Sequence, residues 1–185
     1  MRILKGKISQ ILVVTMLLAA APMVPTAAAD LAQNSVSDDL TEAVADTLKP
    51  GEFRWQPERA AEGSLTVIVS ISRQMAYIYR SGALIGISTV STGKPGYETP
   101  IGTFPILQKE VYHRSTTYES APMPFMQRLT WDGLALHAGQ IPGVPASHGC
   151  VRLPVALARL LYRETKIGMI VTILDEDQDV AAYSE

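Results

Sequence analysis

The chain is poor in cysteine, with a single one, Cys150, among its 185 residues. One cysteine cannot form an intramolecular disulfide, and in an oxidising compartment an unpaired thiol is exposed to oxidation or intermolecular pairing. Aromatic residues make up 6% of the sequence, and the 16 basic side chains, against 18 acidic ones, form no basic cluster. Nucleic acid is therefore not expected as a partner, because phosphate binding needs a concentrated basic surface.

A long apolar run is also missing. The stretch Ile11–Ala21 is interrupted at Pro22, well short of the roughly 18 to 20 residues needed to cross a bilayer. It follows three basic residues near the N-terminus and precedes the alanines at 27–29, which is the layout of a secretory signal peptide. We expect residues 1–29 to be cleaved, and the protein to be secreted to a periplasmic or wall-facing location. The alternative is an uncleaved membrane anchor, and no other membrane contact is expected.

The rest of the chain divides into a polar segment and a compact domain. Removing residues 1–29 takes away three basic and no acidic residues, which leaves a net charge of −5. Residues 30–64 are rich in Ala, Asp, Glu and Ser, with Pro50–Gly51 in their middle, and this composition predicts a flexible linker. Strand-like segments then define a domain over 65–174, followed by a C-terminal tail at 175–185.

Short strands dominate this domain. Ser81–Gly82 marks a tight hairpin turn, and Pro154 suits the first turn of one helix. Residues 112–128 are predicted to be a long loop, which as a lid or cleft wall would have a functional role. β-branched and alternating segments predict strands at Leu65–Ile71, Met75–Tyr79, Leu84–Ser91, Thr103–Glu110, Leu134–His137 and Met169–Leu174. The pattern predicts a mainly β fold, either a sandwich or a barrel.

Two histidines and the single cysteine lie within fourteen residues, from His137 to Cys150. A thiol with the ordinary pKa of about 8.5 is only a few per cent thiolate at neutral pH, so a nucleophilic cysteine needs a neighbouring base. His137 and His148 are the candidates. Gly149 allows a tight backbone turn beside the thiol, and backbone N–H groups around Gly149 and Cys150 are positioned to stabilise an oxyanion.

Two other interpretations fit the same residues. Cys150 and His137 on apolar segments are also typical of satisfied core residues. A third interpretation makes His137, His148 and Cys150 ligands of a metal, although three soft ligands fall short of a structural zinc site. Spacing alone leaves catalysis, structure and metal binding open.

The segment Ser147–Arg152, SHGCVR, with His137 upstream, resembles the active-site signature of the L,D-transpeptidase catalytic domain family. Ser88–Gly102 resembles the glycine- and proline-rich strand and loop that precede the site in that family. The likeness covers about Leu65–Leu174. It implies an L,D-transpeptidase-like β-sandwich or barrel with one helix following the catalytic cysteine, and chemistry that uses neither a cofactor nor a metal.

The resemblance also implies roles for individual residues. Cys150 would be the nucleophile that forms a thioester, and His137 the general base for the thiol and later for the acceptor amine. His148 would be a site-shaping residue, and the backbone of Gly149 would belong to the oxyanion hole. Arg152 would support the site or pair with a substrate carboxylate; the alternative is that it forms a structural ion pair.

The implied substrate is a peptidoglycan stem peptide, cut between meso-diaminopimelate and D-Ala. An amine of a second stem peptide would give a cross-link, and an amine of a wall-anchored protein would give protein anchoring. Two alternatives remain open: an L,D-carboxypeptidase that hydrolyses the thioester, and a cell-wall-binding module without activity. His113, which has no motif around it, is expected to be solvated.

Overall fold

The computed structural model describes residues 40–175; the predicted signal peptide and most of the predicted tail lie outside this range. No helix in the described part of the chain is long and apolar enough to cross a membrane. Two short 3₁₀ helices occupy Glu42–Thr47 and Pro57–Arg59. The strands are β1 (Phe53–Trp55), β2 (Leu65–Ser70), β3 (Met75–Arg80), β4 (Ala83–Thr89), β5 (Gly102–Pro105), β6 (Gln108–Arg114), β7 (Pro122–Arg128), β8 (Ala135–Ala138), β9 (Val151–Leu153) and β10 (Ile170–Leu174), and the α-helix is α1 (Val155–Glu164).

Six strands form one sheet in the order β1-β4-β3-β2-β10-β5. β2, β3 and β4 are an antiparallel meander, and the turn between β3 and β4 has positive φ at both Ser81 and Gly82, 48° and 77°. Both central residues at positive φ fit the right-handed twist of the flanking strands. β10 returns beside β2 in parallel, after α1.

The other four strands form a second sheet in the order β6-β7-β8-β9. Leu136, Val151 and Leu153 extend from it into the main core, which they share with the six-stranded sheet and with Leu157 and Leu161 of α1. The helix begins directly after Pro154. The predicted mainly β fold with one helix after the cysteine is thus confirmed.

The linker predicted at 30–64 is wrong for its described part. β1 pairs with β4, with Phe53 opposite Ser88, and Leu40 and Ala45 are buried against the outer face of the six-stranded sheet. The physical reason is that β3 is buried at every residue, so its outer face also needs an apolar cover. The segment from residue 40 onward supplies that cover.

Two further expectations need correction. The strand predicted at Thr103–Glu110 is divided: β5 belongs to one sheet and β6 to the other, with the buried Ile106 at the crossing between them. The loop predicted at 112–128 is largely a hairpin of β6 and β7, and its connection is confined to residues 115–121. One face of the second sheet is exposed, so β6 and β7 contain charged and proline residues, and their sequence did not predict strands.

Candidate active site

A cavity of about 920 Å³ opens beside the second sheet. Its wall includes Cys150, His137 and Arg152 from the predicted site, together with Met123 and Met126 of β7. All five predicted site residues contribute to it, since Gly149 and His148 also line the cavity. The fold therefore brings the sequence-predicted residues to one place.

The parallel pairing of β8 and β9 explains how three of these side chains share a face. Leu136 lies opposite Val151, and both point into the core. Because side chains alternate along a strand, His137 and Arg152, which are opposite each other in register, point to the cavity instead. Cys150 precedes Val151 and lies on that same side.

His137 is 7% exposed and has a defined ring orientation. Its Nδ1 lies 2.9 Å from the Ala138 carbonyl oxygen. A carbonyl can only accept, so Nδ1 carries the proton and Nε2 keeps its lone pair. Burial lowers the pKa of His137 to about 4, against a smaller raising effect of that hydrogen bond, and the charges of Arg152 and His113 lower it further. The imidazole is thus neutral at pH 7, as a general base must be.

Cys150 is half-buried, packed against Met123, Met126 and Ala135. Its Sγ–H donates to the Gly133 carbonyl oxygen at 3.3 Å. Burial raises the pKa of the thiol, and a hydrogen bond from the Ala135 backbone and the charges of Arg152 and Arg128 oppose that rise. At rest the sulfur is therefore a protonated thiol in the same cavity as a neutral imidazole, and the charges of Arg152 and Arg128 favour ionisation of the thiol when a proton acceptor is engaged.

The turn at residues 147–150, called the cysteine turn below, is fixed by the hydroxyl groups of two residues. Ser147 Oγ donates to the Cys150 carbonyl oxygen at 2.5 Å and accepts the Gly149 N–H at 3.1 Å. Thr99 Oγ1 donates to the Gly149 carbonyl oxygen at 2.8 Å and accepts the Gly93 N–H at 2.8 Å. These bonds join the Ser88–Gly102 block to the cysteine turn. The sequence singled out both blocks but did not identify Thr99 as the contact between them.

Gly149 has a φ of +111°, which side-chain-bearing residues rarely adopt. Its N–H is already bonded to Ser147. That bond argues against the part of the prediction that assigned this N–H to an oxyanion hole, since a bound donor is not available to a substrate. The requirement for glycine here follows from the backbone conformation.

His148 is exposed and belongs to an aromatic group at the cavity edge. Its ring is stacked on Tyr118 at 4.5 Å between centroids, and Tyr97 approaches edge-on at 4.8 Å. Tyr118 lies in the connection between β6 and β7, so this connection reaches the edge of the cysteine turn. His148 therefore shapes the rim of the cavity through its ring contacts.

Arg152 projects into the cavity with its aliphatic stem against Gly139, where a Cβ would lie 2.9 Å from Arg152 Cδ. Within residues 40–175 its guanidinium makes no hydrogen bond or ion pair. A structural ion pair, the alternative to a role of Arg152 in the site, is therefore absent from the described part of the chain. The charge is available to a ligand in the cavity.

The far wall holds a polar group that the sequence did not indicate. His113 Nδ1 lies 2.7 Å from Glu110 Oε2, and Arg128 Nε donates to Gln108 Oε1 at 2.8 Å. His113 is half-buried and lines the cavity, so the expectation that it is solvated is wrong. Phe125 of β7, at a φ of 57°, interrupts the alternation of the strand, and this lets Met123 and Met126 face the same cavity.

The metal-site interpretation has no ligand set in the described residues. No group of three or more His, Cys, Asp or Glu side chains within residues 40–175 is arranged to hold a metal ion. His148 is held by its ring contacts at the rim, while His137 is buried on β8. The geometry matches a thiol and a base more closely than a coordination sphere.

Comparison with known proteins agrees with this geometry. Solved L,D-transpeptidases of similar structure come from Stackebrandtia nassauensis (29% identity, TM-score 0.57, 62% of this chain and 57% of that one) and Xylanimonas cellulosilytica (26%, 0.56, 62% of each chain). A third is from Mycobacterium tuberculosis (26%, 0.55, 60% of this chain and 58% of that one). The chain thus spans less than two thirds of the length of these relatives, and no curated protein sequence matches it. The family model of the L,D-transpeptidase catalytic domain matches residues 64–173, and the chain belongs to that family.

Proposed function

We propose that this chain is a peptidoglycan L,D-transpeptidase in which Cys150 attacks a stem tetrapeptide between meso-diaminopimelate and D-Ala. The observation that supports this most directly is the orientation of His137. The Nδ1 bond to Ala138 leaves Nε2 as the proton acceptor, in a cavity that also holds the single cysteine. Family membership supports the proposed substrate class.

Acylation would proceed from the neutral pair. The thiol proton passes from Sγ to His137 Nε2 as sulfur bonds to the diaminopimelate carbonyl carbon. Since burial lowers the pKa of His137 to about 4, the imidazolium that forms gives up its proton readily to the departing amine of D-Ala. The C–N bond then breaks, leaving a thioester on Cys150. A base with a lowered pKa is thus better suited to protonating the departing D-Ala amine than to accepting the thiol proton.

Arg152 would bind a carboxylate of the donor peptide. Its unpaired guanidinium lines the cavity, and Arg152 lies opposite His137 in the pairing of β8 and β9. Arg–carboxylate pairs are often bidentate, and the two hydrogen bonds both strengthen the pair and orient the carboxylate. The apolar surface of Met123 and Met126 beside Cys150 would accept aliphatic parts of the stem peptide.

The thioester would be passed to an amine acceptor, for cross-linking or protein anchoring, at a secreted, periplasmic or wall-facing location. Incubation with a disaccharide-tetrapeptide tests this, with products read by mass spectrometry. We expect release of D-Ala and dimers joined through diaminopimelate, and neither with Cys150→Ala. Trimmed monomers without dimers would indicate an L,D-carboxypeptidase. Binding to peptidoglycan without any release of D-Ala would indicate a wall-binding module and would contradict the proposal.

A further inference from the structure

We infer that Asp132 is the acceptor-binding residue, whose carboxylate holds the amine that attacks the thioester on Cys150. The inference rests on the proposed function and deepens it, since it names a residue that selects an amine over water. It assigns the acceptor side of the cavity to the turn between β7 and β8, at residues 131–133.

The position of this turn relative to the sulfur is the first observation. Cys150 Sγ–H donates to the Gly133 carbonyl oxygen at 3.3 Å, and Asp132 is the residue before Gly133. Consecutive Cα atoms are about 3.8 Å apart, so the Asp132 backbone lies beside the group in contact with the sulfur. Asp132 and Gly133 both line the cavity.

The second observation is the availability of the Asp132 carboxylate. Two carboxylates line the described cavity, those of Glu98 and Asp132. Glu98 Oε1 accepts the Gly96 N–H at 2.7 Å. Asp132 is exposed, and within residues 40–175 its side chain makes no hydrogen bond or ion pair. It is therefore free to accept a hydrogen bond from a ligand.

The third observation is the positive charge around the sulfur, which a cationic acceptor must overcome. Arg152 and Arg128 both line the cavity, and the charge of each acts on the Cys150 thiol. Positive charge suits a carboxylate-bearing donor peptide, but it repels a cationic acceptor. An amine acceptor is mostly ammonium at neutral pH, so its approach requires a compensating negative charge. The Asp132 carboxylate provides one in the same cavity, on the residue next to Gly133.

In the transfer step the bound ammonium first loses one proton to solvent, and the neutral amine then uses its nitrogen lone pair to form the C–N bond. As the nitrogen becomes positive, the Asp132 carboxylate accepts one of its N–H hydrogens and stabilises the developing charge. The C–S bond breaks with its electron pair passing to sulfur. The proton lost by nitrogen goes to His137 Nε2 and from there to the thiolate, which regenerates the resting thiol.

The test separates donor from acceptor kinetics in the whole protein. D-Ala release from a disaccharide-tetrapeptide reports acylation, and meso-diaminopimelate or hydroxylamine, supplied in turn, reports transfer to a charged or an uncharged nucleophile. For Asp132→Asn we expect KM for diaminopimelate to rise about two- to fivefold, the range of a lost solvent-exposed ion pair. Acylation, hydrolysis and transfer to hydroxylamine should stay unchanged, and Asp132→Glu should recover part of the loss.

Glu98→Gln is the matched control, because it removes the other cavity carboxylate and should leave KM for diaminopimelate unaltered. An unaltered KM in Asp132→Asn, or equal losses with diaminopimelate and hydroxylamine, would overturn the assignment while the proposed function stands. Absence of D-Ala release by the unmodified protein would instead refute the proposed function. If Asp132→Asn fails to fold, Asp132→Ser is measured in its place against the same two outcomes.

Discussion

The imidazole of His148 is stacked on the ring of Tyr118, with 4.5 Å between centroids and 25° between planes. Both rings lie at the cavity edge, whereas the imidazole of His137 is buried on β8 with its Nδ1 bound to Ala138. The two histidines near the cysteine therefore have different surroundings, and one of them has the fixed tautomer that a general base needs.

This difference predicts unequal effects of removing each histidine. His137→Ala should lower the acylation rate by about 10²- to 10⁴-fold, the usual contribution of a general base. His148→Ala removes ring contacts at the rim, so we expect less than about a tenfold loss in kcat, with the larger change in KM. Single-turnover D-Ala release measures both. A greater rate loss in His148→Ala than in His137→Ala would show that the base is misassigned.

Acid should destabilise the folded protein through His137. Its pKa is lowered from 6.5 to about 4 in the folded state, so between these pH values the unfolded chain binds a proton that the folded chain does not. Stability therefore falls as pH drops through this window, by up to about 3 kcal/mol from this group. Urea unfolding at pH 7 and pH 4.5 should show a larger loss for the unmodified protein than for His137→Gln. Equal losses would contradict the lowered pKa.

Much of the site followed from local sequence, since His137 and Arg152 lie on two short neighbouring strands and Cys150 directly precedes the second of them. Parallel pairing of β8 and β9 then sets which of their side chains share a face. By contrast, Asp132 and Thr99 have no local signal. Their positions depend on how the β7–β8 turn and the loop after β4 meet the cysteine turn, which is a property of the tertiary fold.

The incorrect linker and loop predictions share one cause. Residues 40–64 and 112–128 are rich in polar and proline residues, so their composition favoured linker and loop. Sheet pairing overrode that local preference, as β1 joined β4 and β6 joined β7. A hint was available in β3, MAYIYR, since an apolar run without clear alternation indicates burial on both faces and hence a covering segment.

The hydroxyl of Thr99 should be needed for both stability and activity. It is 5% exposed and joins the Gly93 N–H to the Gly149 carbonyl oxygen. Thr99→Val keeps the shape but leaves both backbone groups without that partner, at a cost of about 1–3 kcal/mol. We expect a lower unfolding free energy and slower acylation, and recovery of both in Thr99→Ser. A valine variant as stable as the unmodified protein would show that these bonds are replaced by water.

A methyl group at Gly149 should impair the reaction through the backbone. A Cβ there would meet Tyr97 O at 3.8 Å and Glu98 O at 4.0 Å, ordinary contact distances, so the cost arises from the φ of +111° and is about 1–3 kcal/mol. Relaxation of that strain displaces Cys150. Gly168, with a φ of +89° and nothing within 4 Å of its Cβ position, is the control between α1 and β10. Gly149→Ala and Gly168→Ala should lose similar stability by thermal unfolding, but D-Ala release should fall only in Gly149→Ala. Equal activity in the two variants would mean that the cysteine turn tolerates the strain without moving the sulfur.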